Sequence, residues 1–159
     1  MNYLEFEIVE FIPHNPDDKS SFYAIKLLNK PISEALEFFE KFETTEKKKA
    51  EILLNNIESM VKRGIFEGFF KDNESKIDDN ISCLSVGDLR LYCMRYGKVA
   101  VILGGGGYKH VKTYQESEEL HNHVKLLQAA CKQIYERIKA KEITITDNSI
   151  EGNLNFKEE

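Results

Sequence analysis

The sequence predicts an α+β fold for residues 1–159, with an antiparallel sheet packed by two helices. Three observations predict it. Apolar and polar residues alternate along 3–11, two stretches of helical spacing follow Ser33, and two strands that are apolar on both faces meet at Gly97-Lys98. We see no internal repeat and no linker, so we expect a single domain that can bury a core without metals or disulfides.

The N-terminal half begins with a predicted hairpin. Residues 3–11 and 22–28 are its strands, and the polar stretch between them is its loop. Pro31 and Ser33 then open a helix over 33–43, because proline is favoured in the first turn and serine at the cap. We expect this helix to present one apolar face, formed by Leu36, Phe39 and Phe42.

A second helix is predicted over 46–63 and ends at Gly64. Its first turn carries Lys47, Lys48 and Lys49. These lysines could contact phosphate, but such a triplet is more often a solvated helix face, and we interpret it as one. Residues 71–88 are polar and rich in turn-forming types, and they predict a loop.

The C-terminal half supplies the centre of the predicted sheet. Strands 89–96 and 98–103 pair across Gly97-Lys98. A long helix over 115–141 follows the capping-box pattern Thr113-x-x-Glu116, and a closing hairpin spans 143–156. The apolar seam of that helix comprises Leu120, Val124, Leu127, Cys131, Ile134 and Ile138.

Composition excludes several classes of protein. No apolar run approaches the roughly 20 residues that a membrane helix needs, and the acidic N-terminus does not resemble an export signal. Three cysteines, of which Cys93 and Cys131 fall at apolar positions, indicate buried free thiols. We therefore expect a cytoplasmic protein that does not associate with membranes.

Charge is distributed unevenly along the chain. The net charge of −5 argues against a general nucleic-acid binder, yet residues 83–114 carry five Lys and Arg against Asp88 alone. A local positive site on an acidic body suits a ligand that is bound in one place.

Two motifs that could hold a cofactor or metal do not meet their requirements. The Gly104–Gly107 run lacks the Lys-Ser/Thr ending of a phosphate loop and the third glycine of a dinucleotide loop. It either lets a ligand or another segment approach closely or bends the end of a strand. His121 and His123 point about 200° apart on a helix. We therefore predict no cofactor and no metal site.

The basic segment supplies every candidate site residue. Arg90 and Tyr92 share a strand face and form either an active-site pair or a sheet arginine lying over a ring, whereas Arg95 has the opposite parity. Hydroxyl-bearing aromatics and cations of this kind recognise phosphates and stack on bases. The remaining candidates are Tyr108, Lys109, His110, Lys112 and Tyr114.

Two helices, a polar loop and the stretch LRLYCMRYG-KVAVILGGGGYKH resemble the core of the RelE/ParE superfamily, the toxins of bacterial and prophage toxin–antitoxin pairs. The similarity covers roughly 33–114 and includes Leu89-Arg90, Tyr92 and Tyr96, followed by an apolar strand. It implies a RelE-like core to which this chain adds an N-terminal hairpin, a long helix and a closing hairpin. The acidic charge departs from the basic character of the family's nucleases.

The resemblance implies a metal-independent, ribosome-dependent endoribonuclease with an antitoxin partner. Arg90 would stabilise charge, Lys109 or Lys112 would orient phosphate or act as base, and Tyr114 would stack or transfer a proton. Tyr92 shares that last role, and the substrate-binding set is Tyr92, Tyr108, His110 and Arg95. The alternative is a non-catalytic module that binds a protein partner on the same fold. Neither interpretation predicts the oligomeric state.

Overall fold

The computed structural model describes residues 3–71, 81–109 and 118–158. Strands and helices coexist as the sequence predicts, which confirms the α+β class. In chain order the elements are β1 (Phe6–Glu10), β2 (Ser21–Leu27), α1 (Glu34–Thr45), α2 (Lys47–Arg63), β3 (Ile81–Val86), β4 (Leu89–Tyr96), β5 (Ala100–Tyr108), α3 (Glu118–Lys139), β6 (Ile143–Ile145), β7 (Ile150–Gly152) and β8 (Asn155–Phe156), with a 3-10 turn at Glu67–Phe69.

The main sheet has the strand order β3-β4-β5-β2-β1-β8. Its neighbours are antiparallel except for β2 and β5, which run parallel from the pair Ser21–Ala100 to the pair Ala24–Leu103. The sheet is therefore mixed, where the sequence predicts an antiparallel one. A parallel pair needs a long crossover, and here α1, α2, β3 and β4 lie between its strands.

Two apolar cores lie on opposite faces of this sheet. Leu91 and Cys93 of β4 pack with α1 and α2, whereas Tyr92 and Met94 pack with α3. Because neighbouring strand residues point to opposite faces, a strand covered on both sides must be apolar throughout. The prediction that β4 and β5 are adjacent antiparallel strands beneath the first two helices is confirmed.

The buried face of α1 matches the predicted one in part: Phe42 is buried and Phe39 is half-buried, as expected. Leu36 lies outward and is 41% exposed. The residues that enter the core are Ala35, Phe38 and Phe42. The Ser33 hydroxyl accepts a hydrogen bond from the amide of Leu36 at 3.1 Å and caps the helix as predicted. Both candidate stripes are apolar, so the spacing alone does not choose between them.

The prediction of a loop over 71–88 is wrong for residues 81–86, because these form β3, which pairs with β4. Ser82 and Ser85 interrupt its apolar pattern and hide the strand from an interpretation based on periodicity. On the outer edge of β3, the amide of Lys71 donates to the carbonyl of Cys83 at 2.9 Å. Residues 72–80 lie outside the described part of the chain.

The glycine run lies inside β5. Leu91 pairs with Gly106 and Cys93 pairs with Leu103, so β5 holds one extra residue at this point, a β-bulge. A Cβ on Gly104 would lie only 2.7 Å from Cγ of Leu127, and one on Gly105 would overlap the ring of His123. The close approach allowed by the glycines is therefore made by another segment, the helix α3.

The C-terminal elements are a hairpin of β6 and β7, which forms a separate two-stranded sheet, and the short strand β8 at the edge of the main sheet. Phe156 of β8 stacks on Phe6 of β1 with ring centroids 4.3 Å apart. The Tyr23 hydroxyl accepts a hydrogen bond from the amide of Ile150 at 2.9 Å. The predicted helix-capping pattern at Thr113–Glu116 lies outside the described residues.

We expect Gly106→Ala to be strongly destabilising. Its Cβ would overlap the Arg90 carbonyl and approach Cα of Leu91 at 2.9 Å, so backbone must move. The cost should be about 3 kcal/mol, which lowers the melting temperature by roughly 6–12 °C. Gly97→Asn is the control, because nothing lies within 4 Å of a Cβ there and asparagine tolerates the positive φ of 60°. Equal melting temperatures would contradict the described bulge.

Candidate basic site

Five of the eight predicted site residues lie in the described structure, and His110, Lys112 and Tyr114 lie outside it. The five do not share one location. Arg90, Tyr108 and Lys109 lie at the same end of the sheet, where β4 begins and β5 ends, because Arg90 lies opposite Gly107 and Leu89 opposite Tyr108. The side chain of Arg90 lies on the same face as Tyr92, beneath α3, whereas Tyr108 packs on the face that α1 and α2 cover. Tyr92 and Arg95 occupy other surroundings.

Arg90 is a buried arginine that binds backbone. It is 4% exposed, and its Nη1 atom donates to the carbonyls of Gly87 at 2.6 Å and Leu89 at 3.0 Å. Gly107 lies directly opposite, and a Cβ there would lie 2.6 Å from a carboxylate oxygen of Glu119, so α3 occupies the space beside this glycine. These bonds fix the turn that joins β3 to β4.

Tyr92 is 1% exposed and packs in the core beneath α3. A base cannot stack on a ring that is covered on all sides. The described position therefore disagrees with the substrate-binding role that the sequence predicts for Tyr92, because the alternation that brings it beside Arg90 also points it into the core.

Arg95 lies five residues beyond Arg90 on β4, a separation of roughly 17 Å along a strand. Its Nη2 atom lies 2.6 Å from a carboxylate oxygen of Glu67, and its Cζ lies 4.1 Å from the ring centroid of Phe70. The guanidinium lowers the pKa of Glu67, chiefly through that hydrogen bond. Arg95 therefore contacts the segment that follows α2 and lies away from Arg90 and Lys109.

Lys49 of α2 joins the basic segment from outside it. Its Nζ atom donates to the Tyr108 hydroxyl at 3.3 Å and lies 5.1 Å from the centroid of that ring. Glu46 lies 3.4 Å from the same nitrogen. These partners raise the pKa of Lys49, with the hydrogen bond to Tyr108 as the largest cause. Lys49 is thus held as a cation at neutral pH.

The turn between β3 and β4 connects the two lysines. The amide of Lys109 donates to the carbonyl of Asp88 at 2.7 Å. A Cβ on Gly87 would lie 3.1 Å from Cε of Lys49, so the lysine stem passes directly over this glycine. Gly87 has a φ of 58°, which glycine adopts without strain. We call this region the basic end, comprising Lys47, Lys48, Lys49, the turn Gly87–Asp88, Tyr108 and Lys109.

The first turn of α2 is electrostatically unusual. The N-terminus of a helix carries partial positive charge, and acidic residues normally stabilise it. Here the first turn holds no acidic residue, and the side chain of Glu46 makes no capping hydrogen bond. The helix is therefore less stable at this end than a helix with acidic residues in its first turn, and its N-terminus attracts an anion more strongly.

The sequence does not predict that Lys49 contacts Tyr108, because the lysine triplet is compatible with a phosphate contact and with a solvated helix face. The signal that could identify it is the unfavourable position of three lysines at a helix start. What the basic end can do chemically is hold a phosphate or another oxyanion with fixed cations.

Comparison of the chain with protein-family models, with curated proteins and with solved structures gave no match. Within residues 3–71, 81–109 and 118–158, no helix has the length and apolar character needed to span a bilayer. The same ranges contain no group of three or more His, Cys, Asp or Glu side chains placed to hold a metal ion.

We expect Tyr108→Phe to lower the pKa of Lys49, because it removes the hydrogen bond that raises this pKa most. NMR titration of selectively labelled lysine would follow the ammonium directly. Tyr135→Phe is the matched control, since Tyr135 is an exposed tyrosine on α3. An unchanged Lys49 titration in the Tyr108 variant would show that the two side chains do not interact in solution.

Proposed function

We propose that this protein is a RelE/ParE-like protein of a bacterial or prophage toxin–antitoxin system that contacts RNA through its basic end. The order of elements supports the family proposal. The helical pair α1 and α2 precedes the antiparallel strands β4 and β5, in the order that the resemblance implies. The buried thiols of Cys83 and Cys93 favour the cytoplasmic setting that the proposal includes.

The observation that carries the RNA proposal is the contact between Lys49 and Tyr108. It brings the first turn of α2, which also carries Lys47 and Lys48, to Tyr108, the chain neighbour of Lys109. Lysines from two distant parts of the sequence therefore lie at the same end of the sheet. The chain as a whole has a net charge of −5. An acidic body repels a polyanion everywhere except at such a place, which suits recognition of a message at one position.

The proposal extends to metal-independent cleavage of ribosome-bound mRNA. In this reaction the ribose 2′-oxygen attacks the adjacent phosphorus, the bond to the 5′-oxygen breaks, a base takes the 2′-proton and an acid protonates the leaving oxygen. Lys49 is suited to neutralise phosphate charge and unsuited to be the base, because its pKa is raised. The proton-transfer roles are assigned to Lys109, Lys112 and Tyr114, the last two outside the described residues.

A second function is favoured by the burial of Arg90 and Tyr92. The resemblance implies that these residues stabilise charge and stack or transfer a proton, and both are almost fully covered. A chain that keeps the fold without these roles would bind a partner, such as an antitoxin protein, without catalysis. The exposed ring of Phe66, which packs edge-on against Phe69, is an apolar surface that a protein partner could cover.

We expect the double variant Lys48→Ala/Lys49→Ala to bind single-stranded RNA more weakly than wild type. Each lysine–phosphate interaction that is lost should reduce the magnitude of the slope of log K against log salt by about 0.7, so loss of both should reduce it by about 1.4. Fluorescence anisotropy of a labelled oligoribonucleotide at several salt concentrations measures this. Lys125→Ala/Lys132→Ala is the matched control, because it removes equal charge from α3, away from the basic end.

The control should retain the wild-type affinity and slope. Equal reductions in affinity for the two double variants would indicate that total charge governs binding, and absence of wild-type binding would overturn the RNA proposal.

Cleavage is tested separately by induced expression in bacteria. Wild type should slow growth and reduce protein synthesis, and Lys109→Ala should relieve both effects. Normal growth at high expression of a protein that binds RNA in vitro would remove cleavage from the proposal. Normal growth without RNA binding would leave the protein-binding module as the function.

A further inference from the structure

Arg90 lies beneath the turn that supports the basic end. Its Nη1 atom bonds two carbonyls, those of Gly87 and Leu89, which flank Asp88 on either side. A cationic donor makes shorter and stronger hydrogen bonds than a neutral one. A single buried group therefore fixes the peptide that precedes Asp88 and the peptide that joins Leu89 to Arg90.

The same turn contacts Lys49 of α2 and Lys109, which follows β5. The carbonyl of Asp88 accepts a hydrogen bond from the amide of Lys109 at 2.7 Å, and the stem of Lys49 crosses Gly87. A rotation of the turn would move the end of β5 and lift the Lys49 stem together. The two cations thus share one support, and Arg90 holds that support from the opposite side.

We propose that Arg90 is a positioning residue for the basic end, which orients Lys49 and Lys109 toward a bound phosphate without touching it. The inference rests on the proposed function for its ligand, an RNA phosphate, and on the described contacts for its mechanism. Lysine does not reproduce this arrangement, because its stem is one bond shorter than the path to Nη1 and its ammonium is more strongly hydrated, which disfavours burial.

The test compares Arg90→Lys with Arg95→Lys, the same substitution on the same strand. Arg95 is also mostly covered, but it pairs with Glu67 away from the turn. In Arg90→Lys we expect RNA affinity to fall about tenfold, since misdirected cations no longer make charge-assisted hydrogen bonds. Arg95→Lys should bind as wild type does.

Hydrogen exchange provides a readout that needs no RNA. The Lys109 amide, which bonds to Asp88, should exchange about tenfold faster in Arg90→Lys than in wild type. The amide of Ile102, at the centre of β5, is the internal reference and should keep its protection. Equal acceleration at both amides would show that Arg90 supports the whole fold, which would overturn the positioning role.

A second variant reaches the turn without altering Arg90. Gly87→Ala introduces strain at a φ of 58° and presses on the Lys49 stem. It should weaken RNA binding as Arg90→Lys does and leave Ile102 protected. Retention of wild-type affinity in Gly87→Ala would contradict the role of the turn as the shared support.

The outcomes separate this inference from the proposed function. If wild type binds no RNA, the ligand assignment fails, and faster exchange confined to Lys109 still establishes the positioning role. If Arg90→Lys abolishes RNA binding while Lys109 exchange is unchanged, the guanidinium contacts the ligand itself and the positioning role is wrong.

Discussion

The seating of α3 on the bare backbone of β5 is the contact on which the rest of the structure depends. Gly104 and Gly105 let Leu127 and His123 lie against the strand, at distances that any side chain there would forbid. The ring of His123 is covered as a result, and burial lowers its pKa. The helix can therefore cover one face of the sheet closely while α1 and α2 cover the other.

The bulge at the glycines and the basic end belong to the same strand. β5 leaves β2 after the pair Ala24–Leu103 and continues beside β4. Its last residues thus project past the central pairing and reach the turn at Gly87–Asp88. Such a strand end is a suitable place for an exposed site, because within the described residues no strand pairs with its second edge.

Much of this architecture could be predicted because its signals are local. Ser33 as a cap, Gly64 as a stop and Gly97 at a hairpin act through their own backbone, and all three hold. The predictions failed for Leu36 on α1 and for the strand β3, since each is decided by what the element packs against. Local pattern carries no information about that partner.

The candidate site divides in the same way. The clustering of Arg90, Tyr108 and Lys109 follows from hairpin register, which the sequence predicts at Gly97. The position of Lys49 beside Tyr108 does not follow from this register, because it depends on how α2 crosses the sheet. Arg90 and Tyr92 show the limit of charge and parity arguments, because these two residues are interior although their types suit an exposed site.

The parallel pairing of β2 with β5 also determines the order in which the fold can assemble during synthesis. Ser21 cannot pair with Ala100 until that residue has been synthesised. β2 therefore leaves the ribosome with β1 on one edge and its other edge unpaired. Because β5 follows β3 and β4 in the chain, all three strands have been synthesised before β5 can pair with the open edge of β2. Contacts this distant in sequence form slowly, and an open strand edge invites pairing with another chain. The nascent protein therefore passes through a long interval in which it depends on being kept apart from its copies.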